Sequence, residues 1–385
     1  MRHSIKAAAL LTVAALGLAA CSSSASTTTT TTAASTAGAP AAGALKVGMA
    51  FDTGGRGDGT FNDLAVKGLE RAAKELGATA KELSPNADGT NRADLLRQLA
   101  DGGYSPIFGV GYNYGEPMDQ VAKEYPKVQF VRIDGAPSTV ANVAVMDFAE
   151  QEGSFLVGVA AALKSKTHHV GFIGGNESVV INRFGAGFAQ GAKAADPTIV
   201  VDDKRLAAAD SGAGFGDVPG AKVAAAAMYQ NGADIVFTAA GGSFAGSFPA
   251  AKDAGKLVIG VDSDQFNTVS DAALKPLILT SMIKRVDNAV FLSVQAFKTT
   301  GKLTSHSYNL KDEGVAYSTS GGFVDDIKSK LEDYKAKIIA GTIVVNTGQK
   351  FLYLVLGNGK AMRYGIGTAR DGFEWSGSHR VSSKK

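Results

Sequence analysis

Cysteine is all but missing from this chain: Cys21 is the only one in 385 residues. A disulfide framework within the chain is thereby excluded, as is a zinc site built from several thiolates. Tryptophan is equally scarce, with Trp375 alone near the C-terminus. The five histidines (His3, His168, His169, His306 and His379) sit in no recognisable catalytic pattern, and neither a P-loop nor a Gly-x-Ser-x-Gly elbow occurs. There is no excess of one charge, since 39 Lys and Arg oppose 36 Asp and Glu for a net +3 scattered along the chain. A basic face for nucleic acid is therefore not expected. The charge-free run Ala7–Ala20 is too short to span a bilayer comfortably.

That run follows Arg2 and Lys6 and ends at Leu18-Ala19-Ala20-Cys21. A basic start, an apolar stretch and small residues before the cut make a secretory leader over residues 1–20. The last four residues resemble a bacterial lipobox, which implies a diacylglyceryl group on the Cys21 sulfur; the competing reading is an ordinary signal with an incidental cysteine. Losing Arg2 and Lys6 lowers the net charge from +3 to +1, too little to hold a membrane electrostatically, so lipid on Cys21 is the expected anchor. Residues 21–44 are mostly Ser, Thr, Ala and Gly, a flexible tether reaching a few nanometres at about 5–6 Å × √n. The expected location is the extracytoplasmic face of a bacterial cell membrane.

From Leu45 the chain alternates. Apolar runs of strand length fall at Leu45–Phe51, Pro106–Val110, Val128–Ile133, Val170–Ile173, Ile235–Thr238, Leu257–Val261 and Leu277–Met282. Helix-period stretches lie between them at Phe61–Leu76, Arg92–Ala100, Gln151–Leu163, Arg183–Ala195, Ala221–Gln230, Val286–Thr300 and Val324–Ile339. Continuous apolar strands separated by helices predict an α/β fold with parallel sheets covered on both faces. Some 300 residues of this pattern is long for one sheet, so two similar lobes are expected. Small residues and carboxylates gather where the strands end: Asp52, Gly109-Val110-Gly111, Asp134-Gly135, Gly174-Gly175, Ala239-Ala240-Gly241-Gly242 and Asp262. Open α/β sheets bind ligands at such ends. Any one of these residues serves equally well to turn the chain or cap a helix; their repetition at six strand ends favours a small-molecule crevice.

Four segments carry a resemblance: Asp52-Thr53-Gly54-Gly55-Arg56-Gly57-Asp58-Gly59-Thr60-Phe61-Asn62; Val170-Gly171-Phe172-Ile173-Gly174-Gly175 with Ile181-Asn182-Arg183-Phe184-Gly185-Ala186-Gly187-Phe188; Ile259-Gly260-Val261-Asp262-Ser263-Asp264-Gln265; and Leu279-Thr280-Ser281-Met282-Ile283-Lys284-Arg285-Val286-Asp287. In this order they closely resemble the basic membrane protein family of bacterial solute-binding lipoproteins, which includes purine nucleoside receptors. The resemblance runs from about Leu45 to Val345. It implies a two-lobed periplasmic-binding-protein (type I) fold, no catalysis, no cofactor or metal, and a monomer that hands a nucleoside to an ABC transporter permease. It further implies chain crossings near Asp147, Asp262 and Glu313, with a first lobe of about 45–147 and 265–312 and a second of about 148–264 and 313–345.

The residues suit a nucleoside chemically. A purine has two π-faces and a polar edge. Phe61 and Phe184 are expected to clamp the base, Asp52 and Asn62 to read its edge with Asp58 as a lesser candidate, and Asp262 to accept from the ribose diol. Lys284 would donate to the ribose hydroxyls, and Gly241 and Gly242 would admit the ligand to backbone amides. By resemblance, Asp52, Phe61, Asp262 and Lys284 fall on family binding positions. The plain alternatives are a helix-start contact for Phe61, a core residue for Phe184, a helix cap for Asp262 and an exposed strand end for Lys284. Arg56-Gly57 departs from the family's small or apolar residues, and Arg56-Gly57-Asp58 spells an adhesion tripeptide taken here as coincidence.

Three rivals share the composition, one of them a structural or adhesive lipoprotein, for which the aligned strand-end residues would have no purpose. A sugar or autoinducer receptor on the same scaffold would need a stacking aromatic, usually tryptophan, and no tryptophan occurs before the tail. A nucleotide-dependent enzyme is suggested by Gly109-Val110-Gly111-Tyr112-Asn113-Tyr114-Gly115, but its last glycine comes one residue late and the loop follows a later strand. Residues 346–385 go beyond the family pattern. Phe351–Leu356, a Gly357-Asn358-Gly359-Lys360 turn, Ala361–Ile366 and Asp371-Gly372-Phe373-Glu374-Trp375-Ser376-Gly377 resemble the start of a YkuD-type L,D-transpeptidase domain, whose catalytic cysteine is missing here. A lone hairpin is marginal in water, so a partly ordered, non-functional appendage is expected.

Overall fold

The computed structural model describes residues 45–209, 211–347, 351–357, 360–365 and 378–380. The leader, Cys21 and the tether lie outside the described residues, as does the Asp371–Gly377 segment. The first lobe begins with β1 (Lys46–Ala50), α1 (Phe61–Leu76), β2 (Thr79–Leu83), α2 (Arg92–Asp101), β3 (Ile107–Val110), α3 (Gly115–Glu124), β4 (Phe130–Ile133) and β5 (Val143–Phe148). The second lobe follows as α4 (Glu150–Lys164), β6 (His169–Gly174), α5 (Val179–Ala195), β7 (Val200–Arg205), α6 (Val218–Gln230), β8 (Ile235–Ala239), α7 (Phe244–Ala254), β9 (Leu257–Asp262), a short α8 (Gln265–Thr268) and β10 (Ile278–Lys284). The chain then returns for α9 (Val286–Thr300) and β11 (His306–Tyr308), and crosses again for β12 (Val315–Tyr317), α10 (Lys328–Ile339) and β13 (Ile343–Asn346).

Each lobe holds a six-stranded sheet, ordered β11-β5-β4-β3-β1-β2 and β12-β10-β9-β8-β6-β7. Ignoring the hinge strands β11 and β12, both sheets repeat one order: second, first, third, fourth, fifth. All pairs are parallel except β12 on β10. The order reverses between β1 and β3 and between β6 and β8, the places where ligands bind in doubly wound sheets. The central strands are buried throughout, which is why their sequences read as unbroken apolar runs. β2 and β7 are edge strands with the exposed sequences TAKEL and VVDDKR; polar residues there left no apolar run to read. Helices α3 and α7 carry no clear helical signal in the sequence, because Gly115, Pro117 and the internal Pro249 read as loop. The apolar spacing of α1 places Leu64, Ala65, Leu69, Ala72, Ala73 and Leu76 on one side; the first four are buried and Leu76 is half-buried, but Ala73 faces solvent.

One expected boundary is wrong. β10 lies beside β9 from Ile278 opposite Val258 to Ile283 opposite Asp262, so residues 265–284 belong to the second lobe. The second crossing falls at Lys284–Val286, after β10 has completed the five-strand repeat, and not near Asp262. The tail also differs from expectation. β14 (Phe351–Gly357) and β15 (Lys360–Gly365) pair with Gly357 opposite Lys360, flanking the expected Asn358-Gly359 turn, which lies outside the described residues. This hairpin is not alone, since β13 pairs with β14 and β16 (Ser378–Arg380) with β15. Leu354 packs on the core and Ala361 is buried.

Within the second lobe, α4 and α5 approach closely because glycines face each other's backbone. A Cβ on Gly191 would overlap the Phe155 carbonyl, and one on Gly158 would overlap that of Phe188. Gly191→Ala should therefore cost roughly 1–3 kcal/mol by forced backbone displacement. Urea denaturation should show a lower midpoint, and a midpoint equal to that of the unaltered protein would contradict this packing.

Candidate functional site

The C-terminal ends of both sheets face one another across a cleft that, with the open solvent at its mouth, holds about 570 Å³. Its walls include Asp52, Asp58, Phe61, Asn62, Tyr112 and Asp134 from the first lobe, and Phe184, Phe215, Gly241, Asp262 and Lys284 from the second. Eight of the nine residues expected at the site thus line a single cleft; Gly242 does not. Gly242 instead sits against the first lobe's opening loop, where an added Cβ would lie 3.8 Å from the Asp58 carbonyl.

Lys284 is the centre of the arrangement. It ends β10 and is 1% exposed, so it is no exposed strand-end lysine. Its Nζ donates to Asp134 Oδ2 at 2.7 Å and lies 3.0 Å from Glu150 Oε1. It also stands 5.1, 4.9 and 5.5 Å from the ring centres of Phe61, Phe148 and Phe184, within the range of cation–π attraction. Burial alone would lower its pKa, but the carboxylates of Asp134, Glu150 and Asp262 outweigh that and hold the ammonium above the usual lysine range. Glu150 is fully buried and shared with Arg183, which also pairs with Asp147 at 2.9 Å.

Asp262 is handled differently. Its carboxylate accepts no hydrogen bond among the described residues, and burial pushes its pKa up to about 7, aided by Asp134, Asp58 and Glu150 against the pull of Lys284. Burial raises Asp134 as well. Asp134 follows β4 and Asp262 ends β9, both with positive φ, 72° and 61°, a conformation Asp tolerates better than most residues. The plain reading of Asp262 as a helix cap does not hold, because its carboxylate caps nothing. Asp134 stood in the sequence at a strand end, as Asp262 did, and that position was the signal for it. Tyr112, Phe215, Glu150 and Arg183 gave no comparable signal.

The base-reading set is partly engaged elsewhere. Asn62 Oδ1 accepts from the Asp52 amide at 3.1 Å, and its Nδ2 donates to Asp58 Oδ2 at 3.0 Å, leaving one amide hydrogen. Asp58 further accepts from the amides of Thr60, Asn62 and Asp63. These two residues shape the loop before α1, and both Asp58 carboxylate oxygens accept hydrogen bonds within it. Asp52 Oδ1 is held by Arg92 at 2.8 Å; its other oxygen faces Gly111, where a Cβ would overlap it. Arg56 pairs with Glu82 and Glu70 on the surface. Phe184 is 3% exposed and belongs to the core while lining the cleft, so both readings of it apply.

Among the described residues no cluster of His, Cys, Asp and Glu could hold a metal ion, and no helix is long and apolar enough to cross a membrane. The geometry is that of a solute-binding cleft, and residues 45–349 match the Bmp family model, described as ABC transporter substrate-binding protein PnrA-like. The chain belongs to that family. A *Listeria monocytogenes* protein named CD4+ T-cell-stimulating antigen is 35% identical over 329 residues, spanning 78% of this chain and 87% of the relative. A *Lactococcus lactis* protein named ABC transporter nucleoside-binding protein BmpA is 34% identical, spanning 78% and 89%. The solved structure of an ABC transporter solute-binding protein from *Aeropyrum pernix* superposes with a TM-score of 0.68 at 27% identity, covering 78% of this chain and 94% of that one. The PnrA-like match ends at residue 349, so β14, β15 and β16 stand outside it.

The raised pKa of Asp262 gives a signed prediction for this PnrA-like protein. Folded Asp262 holds its proton more tightly than the unfolded chain does, so its contribution is present below the ordinary carboxylate range and is lost as pH rises toward about 7. In the ligand-free protein, Asp262→Asn should flatten the fall in thermal midpoint between pH 4 and pH 7 and raise the midpoint at pH 8. An unchanged pH profile would contradict the assignment.

Proposed function

We propose that this substrate-binding protein captures a nucleoside, most suitably a purine nucleoside, and delivers it to an ABC permease while held to the membrane by lipid on Cys21. The observation that carries the reading is the pairing of Lys284 and Asp262 with Phe61 and Phe184 around one cleft. The base lies between the two phenyl rings, its edge toward Asp52 and the remaining Asn62 hydrogen. The ribose diol gives its hydrogens to the Asp262 carboxylate, and Lys284 donates to a hydroxyl oxygen. The nucleoside-binding name of the *Lactococcus* relative supports the ligand class. Since the contact residues are divided between lobes, ligand favours the closed arrangement, and closure supplies the shape a permease can recognise.

Titration calorimetry with adenosine, guanosine, inosine, cytidine, ribose and galactose tests the reading. A purine nucleoside should bind while the free sugars do not. Asp262→Ala should weaken binding by roughly 10- to 100-fold, the loss of a charge-assisted hydrogen bond. Silence toward every nucleoside would overturn the assignment, and normal affinity in Asp262→Ala would remove the ribose role.

A further inference from the structure

Among the described residues, several polar contacts join the lobes across the cleft. Lys284 to Asp134 and Arg183 to Asp147 lie beside the crossings, and Ser263 Oγ donates to the Gly59 carbonyl at 3.0 Å. The contact at Asn176 is different in kind. Asn176 Nδ2, in the loop after β6, donates to the Tyr112 hydroxyl at 2.6 Å in the turn after β3, and also to the Ser211 carbonyl at 2.9 Å. Both amide hydrogens are therefore used, and Asn176 is fully buried with its Oδ1 unpartnered. An amide buried at the cost of an unpaired oxygen, and aimed across the gap between lobes, is a constraint that the core of neither lobe requires.

Its position gives it leverage. In the second sheet β6 stands three strands from β10, where the chain crosses, or roughly 14 Å at the usual strand spacing. A contact that far from the hinge breaks early as the lobes part. It also acts on the wall of the cleft. Two residues beyond Asn176, Ser178 caps α5 by accepting from the Ile181 amide, and the first turns of α5 carry Val180, Ile181 and Phe184 into the cleft. Tyr112 itself lines the cleft from the other lobe.

We propose that Tyr112 and Asn176 form a latch, a positioning pair that holds the closed state and sets how long a captured solute stays. The proposal rests on the reading of the cleft as a nucleoside site that works by closure. Because the hydrogen bond exists only when the lobes are closed, it favours that state by the net worth of one hydrogen bond, roughly two- to ten-fold in population. The loss on removal falls on the dissociation rate, since the encounter with the open cleft does not involve it.

The test uses the full-length chain with Cys21→Ser and paired labels at Glu75→Cys and Val223→Cys, both exposed and on opposite lobes, read by energy transfer with adenosine and inosine as probes. Tyr112→Phe and Asn176→Ala should each shift the ligand-free distribution toward the open distance and raise the dissociation rate two- to ten-fold with the association rate unchanged. The double variant should be no worse than the poorer single one. Tyr112→Phe keeps the ring, so its thermal midpoint should fall by no more than about 3 °C. Additive effects, a change confined to association, or an unshifted distance distribution would overturn the latch. If neither nucleoside binds the parent, the nucleoside reading fails, and the latch is decided by the ligand-free distances alone: a shift supports it and no shift overturns it.

Discussion

The buried ammonium of Lys284 is the interaction on which the rest of this structure depends. A lysine that is 1% exposed is tolerable only when carboxylates surround it, and deleting one partner of such a pair costs roughly 3–5 kcal/mol. The partners come from different parts of the chain: Asp134 from the first lobe, Glu150 from the first crossing and Asp262 from the second lobe. Charge neutralisation therefore draws together the two lobes and two of the three crossings. It also leaves the cleft with more carboxylates than the single ammonium can satisfy. Asp262 is one whose carboxylate accepts no hydrogen bond among the described residues, and a hydroxyl-bearing ligand can meet its need.

Around this centre the aromatic and glycine residues acquire definite tasks. Phe61, Phe148 and Phe184 present ring faces to the ammonium, which favours flat, π-rich surfaces at the same place. Gly111 lets the Asp52 carboxylate come against the β3 turn, since any side chain there would overlap it. Asn62 and Asp58 fix the loop that begins α1, so Phe61 enters the cleft from a firm base.

Much of this was legible in the amino-acid order. The buried central strands declared themselves as apolar runs, and helices α1 and α9 matched their predicted limits because their apolar periods and terminal Gly77 and Gly301 are unambiguous. The strand-end residues were legible for the reason that open sheets bind ligands there. What was not legible depends on pairing in space. β2 and β7 are strands because of their neighbours and not because of their side chains. That Asn62 serves its loop, or that Glu150 joins Lys284 to Arg183, follows from contacts between residues far apart in sequence. The placement of β10 was misjudged because an apolar strand next to a crossing fits either sheet until its register is known. The tail illustrates the same limit: Phe351–Gly357 reads as half of a hairpin, but β13, the receptor's own last strand, gives it a partner.

The central claim is that Lys284 and Asp262 hold a nucleoside between Phe61 and Phe184. A crystal structure of the protein grown with inosine tests it most directly. The account predicts the base between the two rings, ribose hydroxyls within hydrogen-bond distance of Asp262 and Lys284, and the Lys284–Asp134 pair intact. Inosine bound outside this cleft, or bound within it with Asp262 and Lys284 contacting only protein, would contradict the account.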